Sequence, residues 1–247
     1  MRTLVRAEFI KLATTKTVLG LAVGAAAVAA LGAVSTIMSA GSEDLSRAMH
    51  DQPFFMLASI NLAMFAIVVG IRTFTDEFRH GSIVPTLLVT PHRRRVVAAK
   101  MITSGAAGAG LVAVAHVVMV ALALLLIGAR GVEATFEARD AAAVGGAVLA
   151  GALWGAIGAG VGAIVRHQVA AIVGALVWIL LLENLGAGLV GDAGRFLPGQ
   201  AAHGLAQASQ AGTILAPVAA AALLMAYTLV AAGAAMLRMT RTDIAPS

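Results

Sequence analysis

Six apolar segments set the strongest limit on what this chain can fold into. They cover residues 18–38, 54–71, 101–128, 141–165, 169–190 and 213–237. A helix needs about 20 apolar residues to cross the hydrocarbon core of a bilayer, and its backbone groups must be hydrogen-bonded within the segment. The pattern therefore predicts an all-α integral membrane protein, with six transmembrane helices in a single domain over residues 1–247.

The composition excludes several other classes of protein. The chain is 60% hydrophobic and 12% charged, whereas a soluble domain carries about 25% charged residues. The strand alternation of an outer-membrane barrel is absent. The chain has no cysteine, which excludes disulfides and thiolate metal sites. Because the basic residues lie at the ends of the apolar segments, they indicate a membrane and not a nucleic-acid partner.

The same basic residues predict an orientation. With the N-terminus in the cytoplasm, thirteen of the 17 Lys and Arg residues lie on the cytoplasmic side, as the positive-inside rule requires. Both termini are then expected to be cytoplasmic. The high ratio of Arg to Lys and the many Ala and Gly residues are typical of a GC-rich bacterial genome. The predicted location is therefore the bacterial cytoplasmic (inner) membrane.

The stretch MRTLVRAEFIKLATTK precedes the first apolar segment. Leu4, Val5, Phe9 and Leu12 share one helical arc, although Glu8 falls inside it. A helix with one apolar face and one basic face lies in the plane of the membrane interface. Residues 1–17 are therefore predicted to form an interfacial helix.

A polar segment, residues 72–100, separates the second and third apolar segments. We expect residues 72–80 to continue the second helix and Gly81 to weaken the helix at that point. Four apolar residues that a solvated loop does not need follow: Ile83, Val84, Leu87 and Leu88. The segment is predicted to be a cytoplasmic helical hairpin whose apolar tip docks on another protein.

The third membrane helix is expected to begin within this hairpin. Thr90 is a favourable capping residue, and Pro91 is favoured at the first helical position. The arginines at 93–95 are expected at the lipid headgroups. Lys100 lies one to two turns deeper and is expected to extend its ammonium group towards them.

Two glycine-rich regions stand out further along. Residues 183–212 are too apolar for a free loop and too broken for a span, so we expect short helices that re-enter the outer face of the membrane under the cover of protein. In the fourth span four glycines lie on one helix face: Gly151, Gly155, Gly158 and Gly162. Small residues at this spacing predict close helix packing, within one subunit or between two.

The residues that most classes of enzyme require are missing from this sequence. A phosphate-binding loop needs Gly-Lys followed by Ser or Thr, and none of the lysines at 11, 16 and 100 follows a glycine. The six histidines are scattered. We therefore predict no catalytic residue and no metal site. His116 is the titratable group in mid-span, where it either bonds to a neighbouring helix or takes part in transport.

Three stretches resemble the membrane subunit of ABC-2 type transporters: EFIKLATTKT, DEFRHGSIVPTLLVTPHRRRVVAAK and ENLGAGLVGDAGRFLPGQAA. The pattern is similar to bacterial antibiotic-export and immunity permeases. The resemblance implies a pair of permease subunits, identical or related, and two copies of a cytoplasmic ATPase that binds ATP and Mg²⁺. It implies no cofactor in this chain itself.

The resemblance also implies roles for particular residues. A coupling helix would occupy the polar segment, with its residues being Glu77, Phe78, Arg79, His80, Gly81, Ser82, Ile83, Leu87 and Leu88. The interfacial helix would pack beside it and contact the ATPase through the region of Glu8, Phe9 and Lys11. The second and fifth spans would line the translocation path, which by position nominates Asn61, Phe65, Trp178 and Leu181.

The leading hypothesis is thus a permease subunit of an ATP-driven exporter, with an amphipathic or hydrophobic cargo and a role in antibiotic resistance. One alternative is an ATP-independent carrier or channel, which would need a residue such as His116. A second is a membrane anchor that transports nothing, whose hairpin binds a protein other than an ATPase.

Overall fold

A computed structural model describes residues 1–41, 59–90, 92–132, 136–206 and 215–241. Within these ranges the regular structure is helical throughout and no strand is present. The α-helices are α1 Arg2–Ala13, α2 Lys16–Ser39, α3 Ser59–Arg79, α4 Ile83–Val89, α5 Arg93–Ala129, α6 Ala138–Val165, α7 Gln168–Val177, α8 Glu183–Leu189, α9 Pro198–Leu205 and α10 Pro217–Arg241. A π-helical turn, Trp178–Leu182, extends α7, and a 3₁₀ helix, Gly191–Phe196, follows α8.

Four helices in the described part of the chain are long and apolar enough to cross a membrane: α2, α5, α6 and α10. They coincide with the first, third, fourth and sixth predicted spans. The second predicted span corresponds to α3, and residues 54–58 of it lie outside the described ranges. The fifth corresponds to α7 with its π-helical turn, a shorter apolar helix. The chain is a multi-pass membrane protein, and the count of six spans stays a prediction.

Helix α6 lies at the centre of the bundle and packs on α3, α5 and α10. Its glycines let neighbouring backbones come close. A Cβ atom at Gly155 would collide with the carbonyl of Ser104 on α5, and one at Gly158 with the carbonyl of Ile67 on α3. Gly70 on α3 is equally close to the carbonyl of Gly155. The spacing predicts close packing within one subunit or between two, and the contacts described here lie within one chain.

The hairpin between α3 and α5 differs in detail from its prediction. Gly81 makes the turn after α3 with a φ of 68°, a left-handed conformation that suits glycine. The predicted helix start at Thr90 is wrong, because Thr90 ends α4 and its N–H donates to the carbonyl of Thr86. Helix α5 begins at Arg93 after His92. Pro91 lies outside the described residues.

The segment after α7 is folded onto the bundle. Helix α9 packs against α6 and α10, and the hydroxyl of Tyr227 on α10 donates to the carbonyl of Phe196 at 2.9 Å. Short helices are present here as predicted, while their re-entry into a membrane stays a prediction.

Candidate functional site

Four charged side chains meet at one end of the bundle, and we call them the charge cluster: Glu8, Lys11, Glu77 and Lys100. The ammonium of Lys100 on α5 lies 2.7 Å from Glu8 of α1 and 2.8 Å from Glu77 of α3. Lys11 of α1 contacts the same two carboxylates, at 3.1 Å and 2.9 Å. Two positive and two negative groups therefore alternate, and they join three helices.

Lys100 is fully enclosed, with only 1% of its side chain exposed. Its ammonium donates hydrogen bonds to Glu8 at 2.7 Å and to the carbonyl of Thr73 at 3.1 Å, and it forms an ion pair with Glu77. The ring of Phe74 lies 5.4 Å from the same nitrogen. Because a buried ammonium is costly unless it is paired and hydrogen-bonded, this arrangement is what allows the lysine to be inside.

A second layer of hydrogen bonds supports the lysine. Ser104 of α5 donates to the hydroxyl of Thr73 at 3.0 Å, and that hydroxyl donates to the carbonyl of Gly70 at 2.7 Å. Polar contacts therefore continue from the charge cluster along the α3–α5 interface.

Lys11 is less buried, with 52% of its side chain exposed. Burial alone would lower the pKa of Lys11, but the hydrogen bonds and negative charges of Glu77 and Glu8 outweigh it and raise the pKa above its usual value. The cluster therefore keeps Lys11 charged to a higher pH.

Two sequence interpretations change at this point. The expectation that Lys100 extends to the headgroups is wrong, because its ammonium points to Glu8 and Glu77 inside the protein. Glu8 interrupts the apolar face of α1 because it is the partner of Lys100. The signal in the sequence was one acid, Glu8, inside the apolar arc of residues 1–17, but nothing in that pattern indicated its partner.

A cleft of about 300 Å³ opens beside the cluster, between α1, the start of α2 and α3. One oxygen of Glu77, Oε2, is buried at its wall and has no hydrogen-bond partner in the described structure. Arg72 and Asp76 form a local pair on the same wall, at 2.9 Å. The cleft thus borders the charge cluster, and Lys11 is the member with a half-exposed side chain.

The remaining predicted coupling residues surround this end. Phe78 stacks on Phe74 with ring centroids 6.5 Å apart, and Arg79 reaches Gln168 on α7 at 3.3 Å. His80 is exposed and its Nδ1 lies 2.7 Å from the carbonyl of Asp76. Gly81 and Ser82 are exposed at the turn.

The apolar tip is smaller than predicted. Ile83 is buried, and Val84 and Leu87 pack with it against the bundle, because α4 is a short amphipathic helix that turns one face inward. Leu88 points the other way and is 79% exposed. Phe9 on α1 is also exposed. Of the four apolar residues expected at the tip, Leu88 is therefore the fully accessible one.

The three nominated path residues whose side chains the structure describes, Phe65, Trp178 and Leu181, have different surroundings. Phe65 packs against Gly24 of α2. Trp178 lies on an apolar groove of about 480 Å³ between α6, α7 and α10, which neither Phe65 nor Leu181 lines. Leu181 is exposed in the π-helical turn. The side chain of Asn61 lies outside what the structure describes.

Trp178 has a polar partner that the sequence analysis did not pair with it. Its indole N–H donates to Glu183 at 2.9 Å, and the N–H of Gly199 in α9 donates to the same oxygen at 2.8 Å. Glu183 is 3% exposed, so its carboxylate is enclosed by the protein. Gly199 leaves room for the carboxylate, which a Cβ atom would meet.

His116 is buried in α5, where its Nδ1 lies 2.9 Å from the carbonyl of Val112 in the same helix. Its Nε2 has no hydrogen-bond partner among the described groups. In the same described ranges no group of three His, Asp or Glu side chains is placed to hold a metal ion.

These features define a multi-pass, all-helical membrane protein with a buried charge network at one end. Residues 9–244 match the family model described as ABC-2 family transporter protein, so the chain belongs to that family. It is accordingly a membrane component of a transporter and not an enzyme, and the family implies association with an ABC ATPase. Among curated proteins no significant match to the chain is found.

Proposed function

We propose that this chain is the permease subunit of an ATP-driven exporter in the bacterial cytoplasmic membrane, with both termini in the cytoplasm. Two permeases, identical or related, would pair, and two copies of a separate ATPase would bind ATP and Mg²⁺. The cargo is an amphipathic or hydrophobic compound. Support comes from the family, from the basic end of the bundle and from the apolar character of the spans.

The charge cluster is the observation that carries this proposal. Lys100 is held by α1 and by α3 at the same time. The three helices therefore move together at this end, and a displacement of the turn at 80–82 is passed to α3, α5 and the interfacial helix. A permease that receives the motion of an ATPase requires such a connection.

The accessible surface beside the cluster supplies the proposed docking site. It consists of the exposed turn, with Arg79, His80, Gly81 and Ser82, followed by Leu88. Phe9 adds a second exposed apolar group on α1. Ile83 and Leu87 would hold α4 in place from the inside, whereas Leu88 would contact the ATPase.

The path remains a positional proposal. Asn61 and Phe65 on α3, with Trp178 and Leu181 at the end of α7, are proposed to line it when two permeases pair. The described spans offer an apolar surface with few charges, which suits an amphipathic cargo better than an ion.

The test is co-purification of the tagged chain from its native membrane, with ATP hydrolysis measured in the eluate. Leu88→Asp is expected to lose the ATPase activity. Leu189→Asp is the matched control, because Leu189 is 85% exposed on α8, beyond the other end of α7. If the native chain brings down no ATPase, the proposal is wrong.

A second variant separates coupling from docking. Glu77→Gln keeps the side-chain shape but removes the charge that holds Lys11 and Lys100. We expect the ATPase to remain bound while its stimulation by amphipathic compounds is lost. Full stimulation in Glu77→Gln would show that the charge cluster does not couple the two subunits.

A further inference from the structure

Three arginines converge near the charged end of the bundle, on α5, α6 and α10. Arg93 begins α5 and donates to the carbonyl of Met239 at 2.7 Å. Arg166 follows the last residue of α6, and its Nη2 lies 3.5 Å from the carbonyl of Arg238 on α10. The last turn of α10 therefore gathers positive charge from three helix ends.

Arg166 occupies an unusual position. Its φ of 61° is left-handed, which glycine adopts readily and other residues rarely do. Its Nε is buried without a hydrogen-bond partner in the described structure. The guanidinium lies 5.1 Å from the ring of Phe78. A side chain kept in a strained backbone conformation with an unused donor points to a missing acceptor.

The positive charges around Arg166 also favour a bound anion. Burial lowers the pKa of Arg166, and the positive charges of Arg238 and Arg93 lower it further. An anion bound between these groups would accept from the unused donor and offset the repulsion. Guanidinium groups match the oxygens of a phosphate particularly well.

An apolar groove begins beside the same residue. It is lined at this end by Ile164 and Val165 on α6 and by Ala234 on α10, and it continues to Trp154 and Tyr227. From Trp154 to Val165 the groove follows α6 for about 16 Å, at about 1.5 Å per residue. Half of a bilayer core is about 15 Å thick. The groove therefore has the length of one acyl chain and a cationic site at its end.

We propose that Arg166, with Arg93 and Arg238, binds the phosphate of an anionic phospholipid whose acyl chain lies in the groove between α6, α7 and α10. The head is fixed by charge and the chain by apolar contact. The lipid would tie α6 to α10 at this end of the molecule. None of the three arginines belongs to the proposed docking surface, although Arg166 contacts the neighbouring Phe78, and the proposal does not depend on ATP-driven export.

The first experiment is native mass spectrometry of the full chain in detergent, titrated with phosphatidylglycerol or with phosphatidylcholine of the same acyl chains. Arg166→Gly removes the side chain and at the same time relaxes the left-handed backbone, so the fold is expected to persist. Binding of phosphatidylglycerol should weaken about tenfold or more. Arg94→Gln is the matched control, because Arg94 is exposed one residue from Arg93, and it should bind as the native chain does.

The second experiment fills the groove. Ala234→Phe places a ring in the groove from an exposed position, and Ala226→Phe places the same ring on an exposed position of α10 that does not line it. Ala234→Phe should weaken binding of phosphatidylglycerol, and Ala226→Phe should not.

Several results of the lipid titrations would overturn the proposal. These are undiminished phosphatidylglycerol binding by Arg166→Gly, equal binding of phosphatidylcholine by the native chain, or an equal loss in Arg94→Gln. An arm with inorganic phosphate distinguishes the source of the anion. If inorganic phosphate displaces the lipid and Ala234→Phe has no effect, the site binds free phosphate and the lipid assignment is wrong.

Discussion

The charged end of the bundle and its glycine-packed middle hold the same helices together by opposite means. At the charged end, Lys100 joins α5 to α1 and α3 through two carboxylates. In the middle, Gly155 and Gly158 let α6 meet α5 and α3 backbone to backbone. Close packing has one geometry, whereas ion pairs can lengthen, exchange partners or be neutralised. The comparison indicates that the middle is the fixed part of the subunit and that the charged end is the part that can respond.

The largest loss of stability is expected when the charge of Lys100, at the centre of the cluster, is removed. Lys100→Met leaves Glu8 and Glu77 with the partly exposed Lys11 as their only cation in the cluster, and removing one partner of a buried pair costs about 3–5 kcal/mol. The measurement is the unfolding of the purified chain in detergent. Lys16→Met is the control, because Lys16 is exposed at the start of α2, and it should have little effect. Equal loss in both variants would contradict the structure of the cluster.

The second-largest change in the free energy of unfolding is expected in the glycine-packed middle of the bundle. Gly155→Ala forces a methyl group against the carbonyl of Ser104, and overpacking of this kind costs about 1–3 kcal/mol. Gly145→Ala on the same helix meets no atom within 4 Å and is expected to stabilise the chain by about 0.5–1 kcal/mol, because alanine suits a helix better. The same unfolding measurement should therefore give opposite signs for the two substitutions. A loss of similar size in both would show that α6 is not packed as described.

The sequence predicts the contacts of the glycine-packed middle better than those of the charged end. The glycine face follows from a spacing of four, three and four within one helix, so periodicity alone predicts it. The charge cluster joins residues 8, 77 and 100, and a contact between distant parts of a chain leaves no periodic trace. The position of Leu88 on the outer face of α4, and of Ile83 on the inner one, depends on where a seven-residue helix rests on the bundle. One of the two partners of Glu183, the N–H of Gly199, likewise comes from α9, which only folding brings close.

A smaller effect distinguishes the two lysines of the cluster. Lys11 contacts the same carboxylates as Lys100, but about half of its side chain is exposed. Exposed ion pairs contribute about 0–1 kcal/mol, so Lys11→Met should cost far less than Lys100→Met. The raised pKa of Lys11 sets the pH dependence. Its contribution is complete below the unfolded-state pKa near 10.5 and is lost as the pH rises through the higher folded-state pKa.

The measurement is the thermal midpoint of the native chain and of Lys11→Met between about pH 9 and pH 12. The difference between the two should shrink towards the alkaline end. A difference that grows with pH would contradict the raised pKa of Lys11.

The smallest effect compares two acids that are neighbours in the sequence. Asp76 pairs with Arg72 one turn earlier on α3, and both side chains are partly exposed. Helical pairs of this kind contribute about 0.3–0.5 kcal/mol, so Asp76→Asn should change the free energy of unfolding by no more than that. Glu77→Gln, one residue further on, withdraws the carboxylate shared by Lys11 and Lys100 and should cost several times as much. Both substitutions exchange an acid for its amide at the same end of one helix, so the charge removed and the local helix are matched. A larger loss for Asp76→Asn than for Glu77→Gln would place the main connection in the local pair and not in the cluster that joins α1, α3 and α5.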